Sequence, residues 1–196
     1  PGAGIGDLEW LATEGAATPD GKAAREELDR RKQKLRPRQN KRAIEVLVEA
    51  GEATAATALL ERDDAGLSRA ERLHLKAQAL YKARKWSAAV DALKAAGKVK
   101  SGRTAEQLYT LGRALARLDK TEEADAVWAD VAKRFGSTDW GDRATYQRAR
   151  THLSSGRYEG ARDGFVAYLS KYPRGAMADD AAYELACVLS AAVAHL

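Results

Sequence analysis

Cysteine, proline and long apolar runs are scarce in this chain, and each scarcity excludes a class of protein. Its 196 residues include one cysteine, Cys187, which excludes internal disulfides and a cysteine-based metal cage. No run reaches the ~18 uncharged apolar residues that a membrane-spanning helix needs. Only four prolines interrupt the chain, and no segment alternates apolar and polar residues for long. With 45% hydrophobic and 31% charged residues, the sequence therefore predicts an all-α globular fold.

Patterns typical of catalysis are also missing. The three histidines, His74, His152 and His195, fall on different predicted helices, and none has a partner at metal-ligand spacing. No serine has a nucleophile-elbow context, and the glycine-rich start of the chain lacks the spacing of a phosphate-binding loop. The sequence therefore predicts that this chain is not an enzyme and has no cofactor and no metal site, with a catalytic domain elsewhere in the full-length protein left open.

One short template occurs four times along the chain, and the closing alanines of its copies are 33, 35 and 37 residues apart. A period of this length is typical of stacked helix pairs, because one pair cannot bury its apolar face alone. The pattern favours a scaffold that binds something rather than an enzyme. The four copies are Glu52–Ala56, Lys85–Ala89, Lys120–Ala124 and Arg157–Ala161.

The chain divides by composition into a flexible arm, residues 1–21, and a helical repeat array, residues 22–196. The arm is rich in glycine, alanine and threonine, and Trp10 is its only aromatic residue. Thr18 and Pro19 can start a helix as N-cap and first residue. The predicted helices are Lys22–Leu35, Gln39–Ala50, Ala53–Arg62, Arg69–Ala83, Trp86–Ala96, Ala105–Leu118, Glu122–Arg134, Gly141–Ser154, Tyr158–Lys171 and Ala176–Val193.

Local signals support these helix ends. Ser68 with Glu71, and Thr104 with Gln107, have capping-box spacing. Glycines at the ends of four predicted helices are expected to take the left-handed conformation. They are Gly51, Gly97, Gly136 and Gly156.

Large aromatic side chains recur at helical spacing and are expected to pack between helices. Residues 185–196 carry no formal charge, which would leave the last helix apolar and uncovered. We expect either further repeats beyond it, which we favour, or another chain on this face. The expected packing residues are Trp86, Tyr109, Trp128, Tyr146, Tyr158, Phe165 and Tyr183.

Basic charge is concentrated in one segment. Residues 25–42 hold nine basic and three acidic side chains, while the whole chain has a net charge of only +5. Such a patch could bind an anionic partner, although no aromatic lies between Trp10 and Tyr81 to stack on nucleic-acid bases. The alternative is a solvated basic helix. The candidate residues are Arg30, Arg31, Lys32, Lys34, Arg36, Arg38, Lys41 and Arg42.

The helix pairs resemble tetratricopeptide repeats. Ala161, Phe165 and Pro173 match the alanine, aromatic and terminating-proline positions of that pattern, and Gly112 with Trp128 matches it in the preceding pair. The resemblance implies a right-handed superhelix, a TPR-like α-solenoid, whose concave face binds an extended peptide or a partner helix. On that face we predict Lys76, Gln107, Tyr109, Arg113 and Arg148.

The last repeat also resembles repeats of bacterial cell-envelope proteins. The stretches that carry the resemblance are residues 156–162, 168–173 and 178–183. Among three such families, the loose spacing looks most like the superhelical, non-catalytic region of soluble lytic murein transglycosylases. The other two are an outer-membrane-assembly lipoprotein and a Tol-Pal-associated repeat protein.

The transglycosylase family's catalytic Glu-Ser dipeptide is absent here, so no active-site residue carries over. This resemblance implies a periplasmic or envelope scaffold acting near peptidoglycan, and a cytoplasmic location stays open. The alternatives are a self-standing adaptor for a peptide or protein and, third, a polyanion or nucleic-acid binder through residues 25–42.

Overall fold

The computed structural model describes residues 4–62, 66–98 and 104–194, with side chains to Ala191. Every regular element in these ranges is a helix, which confirms the all-α prediction. The helices are α1 Ile5–Glu14, α2 Pro19–Arg30, α3 Pro37–Ala50, α4 Ala53–Leu60, α5 Arg69–Lys82, α6 Trp86–Ala96, α7 Ala105–Ala116, α8 Thr121–Arg134, α9 Asp139–Ser154, α10 Tyr158–Lys171 and α11 Ala178–Ala194.

The chain forms two compact units, residues 1–102 with α1–α6 and residues 103–196 with α7–α11. Within each unit, most helices consecutive in sequence pack side by side, and α1 with α3, α3 with α5 and α7 with α9 also touch. None of the described helices is both long and apolar enough to cross a membrane.

The repeated template begins the second helix of each pair, and its closing alanine is fully buried every time. Ala56, Ala89, Ala124 and Ala161 are all 0% exposed. A small side chain lets two helices approach closely in a densely packed interior. The template is therefore a helix-crossing signature.

The turns that join the two helices of each pair also share one geometry. Each turn contains a residue with positive φ between the two helices, and these residues are Gly51, Arg84, Asp119 and Gly156. The next residue in each case is the N-cap of the second helix, with φ between −77° and −86°. Gly97 and Gly136 do not take the left-handed conformation, so the prediction was wrong for these two.

Helix α1 corrects the prediction of a flexible arm over residues 1–21. Leu8 and Ala12 of α1 are buried against Ala24 and Leu28 of α2. A Cβ placed on Gly21 would overlap the backbone at Gly15, so the tight turn between the helices requires glycine there. The structure does confirm Thr18 as the N-cap and Pro19 as the first residue of α2.

The core of the first unit is aliphatic. Ile44 and Leu47 of α3 are almost completely buried among alanines and leucines of α4 and α5. The capping box of Ser68 with Glu71 forms at the start of α5, as predicted.

The core of the second unit is aromatic. Trp128 of α8 lies against Gly112 and donates a hydrogen bond from Nε1 to the Tyr109 carbonyl at 3.3 Å. Tyr146 of α9 packs on Phe165 and Tyr168 of α10, with ring centroids 6.0 and 5.8 Å apart.

Two of the aromatic residues expected to pack between helices do not. Tyr158 is 58% exposed and Tyr183 is 72% exposed, whereas Tyr109, Trp128, Tyr146 and Phe165 are buried as expected. Tyr158 is the first residue of α10, and Tyr183 lies within α11.

Candidate functional site: the first-helix face of the second unit

The basic segment is largely paired with acidic residues of the same unit. Arg30 and Arg31 both bind Glu27, one turn earlier on α2. Arg36 lies 3.7 Å from Glu9 of α1. The guanidinium of Arg42 donates to both carboxylate oxygens of Glu14, at 3.1 to 3.3 Å.

Neighbouring cations of this segment point towards different helices. Lys41 reaches Glu71 of α5 at 3.0 Å, whereas Arg42 reaches Glu14 of α1. Consecutive helical residues are about 100° apart around the axis, so the two cannot share one surface. The Ser68 hydroxyl and the ammonium of Lys41 hold the pKa of Glu71 at about 2, with the Ser68 bond the larger cause.

The predicted anionic-partner patch is therefore dispersed. Lys32, Lys34 and Arg38 are exposed, and the other five candidates form ion pairs within the first unit. The pairs of Arg30 and Arg31 lie within α2, whereas those of Arg36, Lys41 and Arg42 connect α3 to α1 or α5.

The predicted concave-face residues do not form one accessible set. Gln107 is buried and completes the capping box with Thr104, and Tyr109 is buried under α8. The ammonium of Lys76 pairs with Glu61, and Arg148 makes a double hydrogen bond to Asp125 of α8. Arg113 is exposed on the surface of α7.

The first helices of the second unit carry equivalent residues 37 positions apart. Tyr109 of α7 corresponds to Tyr146 of α9, and Arg113 corresponds to Arg150. Helices α7 and α9 are in contact, so these equivalent residues lie on neighbouring helices. We call this surface the first-helix face; it comprises Tyr109, Arg113, Trp140, Arg143, Tyr146 and Arg150.

Aromatic rings form the floor of the first-helix face, and arginines lie above them. The Tyr109 and Trp140 rings are 5.3 Å apart between centroids. The guanidinium carbons of Arg143 and Arg150 lie 5.7 and 5.9 Å from the rings of Trp140 and Tyr146. A cation over a ring face is stabilised by the ring quadrupole, and this holds the guanidinium in place.

Glu184 of α11 lies at one edge of the first-helix face. It accepts a hydrogen bond from the Tyr146 hydroxyl and forms an ion pair with Nε of Arg150, each at 3.1 Å. Burial, followed by the Glu184 carboxylate, raises the pKa of Tyr146 to about 12. The tyrosine hydroxyl is therefore a fixed neutral donor, and Arg150 and Arg143 present further donors outward.

The sequence reasoning missed Trp140, Arg143 and Arg150. The available signal was the interval of 37 residues, which relates Tyr109 to Tyr146 and Arg113 to Arg150. Over the described residues no three histidine, cysteine or carboxylate side chains come together as metal ligands. His195 lies outside that part of the chain.

Comparison with known proteins shows the fold. Neither a family model nor a curated protein sequence matches the chain. Among solved structures, it is similar to a thermophilic TPR protein of Thermus thermophilus, with a TM-score of 0.58 and 18% sequence identity. The match covers 95% of this chain and 99% of that one. The chain therefore has a helical-repeat fold of the tetratricopeptide type.

Proposed function

We propose that this chain is a non-catalytic scaffold that binds a protein partner, and that an acidic peptide segment docks on the first-helix face. The observation that carries the proposal is the position of the Arg143 and Arg150 guanidinium carbons over the rings of Trp140 and Tyr146, at 5.7 and 5.9 Å from the ring centroids. Arginine and aromatic residues together are typical of the parts of an interface that contribute most to affinity.

The geometry explains why acidic peptides are the favoured ligands. A guanidinium presents its N–H donors in one plane and can bind a carboxylate with two parallel hydrogen bonds. The buried Tyr109 and Tyr146 fix the floor, so little side-chain freedom is lost on binding. Arg143 and Arg150 are exposed on this face, and the carboxylate of Glu184 at its edge pairs with Arg150.

Fluorescence anisotropy with labelled peptides tests this function. The probes are 12-residue peptides of equal aromatic content that are rich in glutamate, rich in lysine or uncharged. We expect the acidic peptide to bind best, and the double variant Arg113→Ala, Arg143→Ala to raise its Kd about tenfold. Arg162→Ala, an exposed arginine on α10, is the matched control and leaves the Kd unchanged. Equal binding of all three peptides, or an equal rise in Kd for both variants, would overturn the proposal.

A second candidate is the superhelical part of a cell-envelope lytic transglycosylase, located in the periplasm and binding peptidoglycan. Its support is the resemblance of residues 156–183 to envelope repeat proteins. Co-sedimentation with purified peptidoglycan across a salt series tests it, beside a variant neutralised at Arg30, Arg31, Lys32 and Lys34. Retention that survives salt and neutralisation supports this candidate, and absence of retention rejects it.

Binding of nucleic acid or another polyanion through residues 25–42 has less support. Five of the eight candidate cations already bind carboxylates of the first unit, so a polyanion would have to displace those contacts. Binding that disappears at moderate salt, without sequence preference, is the expected signature of this function.

A further inference from the structure

The first-helix face already binds a carboxylate that belongs to the chain itself. Oε1 of Glu184 accepts a hydrogen bond from the Tyr146 hydroxyl and lies 3.1 Å from Nε of Arg150. A neutral hydroxyl and a guanidinium are also the kind of donors that would bind an acidic side chain of a peptide. Glu184 is therefore bound in the way that an acidic residue of the ligand would be.

The repeat itself does not require an acid at this position. The interval of 37 residues relates Glu184 of α11 to Gln147 of α9 and to Thr110 of α7. All three side chains are partly buried, so the same register accepts an amide or a hydroxyl as well. A carboxylate occurs only beside the Tyr146 and Arg150 end of the first-helix face.

Glu184 is held unfavourably in two respects. Its other oxygen, Oε2, is buried and has no hydrogen-bond partner among the described residues, and an unpaired buried acceptor destabilises the arrangement that contains it. Asp180 precedes it by four residues on α11, and like charges at this helical spacing repel each other. Release of Glu184 into water would hydrate both of its oxygens and reduce that repulsion.

Arg150 can be reached from solvent while it is bound to Glu184. The Arg150 side chain is 52% exposed, whereas that of Glu184 is 20% exposed. A second carboxylate can therefore approach the guanidinium before Glu184 leaves it.

We propose that Glu184 is an internal competitor for the acidic ligand, and that its carboxylate occupies the Arg150 guanidinium and the Tyr146 hydroxyl until a carboxylate of the ligand replaces it. This inference rests on the proposed binding of an acidic peptide to the first-helix face, and it names the residue that limits the affinity. The ligand gains little from Arg150 in the wild-type protein, because an equivalent contact with Glu184 is lost.

The test is fluorescence anisotropy of the full chain with the glutamate-rich 12-residue peptide. We expect Glu184→Gln to lower the Kd about three- to fivefold, which is the effect of one additional half-exposed ion pair. Glutamine has nearly the same shape, and its carbonyl oxygen can still accept from the Tyr146 hydroxyl. Glu159→Gln is the matched control, because Glu159 is exposed on α10 and its substitution changes the net charge equally. We expect that control to leave the Kd unchanged.

Arg150→Ala, introduced into both backgrounds, shows whether Glu184 acts through Arg150. In the Glu184→Gln protein it should raise the Kd about three- to fivefold, which cancels the gain. In the wild-type protein it should raise the Kd by less than about twofold, because the ligand there exchanges one Arg150 contact for another. Equal factors in the two backgrounds would overturn the inference.

The direction of the Glu184→Gln effect separates competition from positioning. A higher Kd would mean that Glu184 holds Arg150 in place for the ligand, and a Kd equal to that of Glu159→Gln would mean that Glu184 has no part in binding. Either result overturns the inference. The lysine-rich and uncharged peptides, measured on the wild-type protein, distinguish the two proposals. If the wild-type protein prefers the acidic peptide and Glu184→Gln does not bind it more tightly, only this inference fails.

Discussion

The two units use one helix-pair template with different core chemistry. In the first unit, aliphatic residues such as Ile44 and Leu47 fill the core, and ion pairs connect the helices at the surface. In the second, large rings fill the core, and a hydroxyl and a carboxylate are hydrogen-bonded inside it. The small residue at the helix crossing is common to both units. The template therefore fixes how closely two helices approach, and leaves open what fills the remaining space.

Removal of the largest ring should affect the second unit most. Trp128 is 2% exposed and its indole N–H is bound to the Tyr109 carbonyl. We expect Trp128→Ala to lower the free energy of unfolding by about 3–5 kcal/mol, through lost burial and the cavity left behind. Urea unfolding followed by circular dichroism measures this. Tyr158→Ala, at a 58% exposed ring, serves as the control and should change stability by less than about 0.5 kcal/mol.

The second prediction concerns a methyl group added at Gly112, where helix α7 contacts Trp128. A Cβ on Gly112 would overlap the indole of Trp128, so Gly112→Ala should destabilise the protein by about 1–3 kcal/mol. Gly6→Ala provides the contrast, because Gly6 lies within α1 and has open space around it. There the substitution should stabilise by up to about 1 kcal/mol. Thermal unfolding of both variants checks this, and shifts of the same sign would contradict it.

The buried carboxylate of the second unit gives the third prediction. Asp142 accepts hydrogen bonds from the Tyr168 hydroxyl and from the Ala176 amide. Asp142→Asn replaces one acceptor oxygen by a donor, and we expect it to lower the free energy of unfolding by about 1–3 kcal/mol. Asp179→Asn, at the equivalent but exposed position of α11, should cost less than about 0.5 kcal/mol. Urea midpoints measured at pH 7 separate the two, and equal losses would refute the prediction.

The smallest effect is expected in the first unit, from its surface ion pairs. The pKa of Glu71 is lowered from 4.5 to about 2, so its charged form stabilises the folded state above pH 4.5 and this contribution is lost as the pH falls towards 2. Because 45% of the Glu71 side chain is exposed, we expect Glu71→Gln to lower the free energy of unfolding by less than about 1 kcal/mol at pH 7. Urea midpoints from pH 7 to pH 2 should converge for the two proteins. A difference that is independent of pH would speak against the ion pair.

The sequence predicted the helices well where hydrophobic period and capping residues agree. Both ends of α6 and of α10 are as predicted, and the boxes at Ser68 and Thr104 cap α5 and α7. Helix α1 was missed, because Gly6 and its short length make it a weak helix alone, and contacts with α2 and α3 stabilise it. The left-handed conformation of Arg84 and Asp119 was not predicted, because neither residue type indicates such a turn as glycine does.

The candidate site was less predictable than the fold. Arg148 was chosen and Arg150 was not, although they are only two positions apart. A separation of two residues rotates a side chain by about 200° around a helix, so Arg148 pairs with Asp125 of α8 while Arg150 lies over Tyr146. A hydrophobic pattern identifies the buried stripe of a helix, and it does not say which polar neighbour of that stripe stays accessible.

Pairing of most helices with a neighbour along the chain also has a consequence for how the protein folds. Most of the extensive contacts join helices that follow one another directly, α1 with α3 and α3 with α5 being the exceptions in the first unit, and the turn inside each repeated pair is short. Most native contacts are therefore close in sequence, and little chain entropy is lost before each one forms. Each helix hairpin can nucleate by itself and extend to its neighbour. We expect folding in the microsecond to millisecond range typical of helical proteins, with several equivalent starting points rather than one obligatory nucleus.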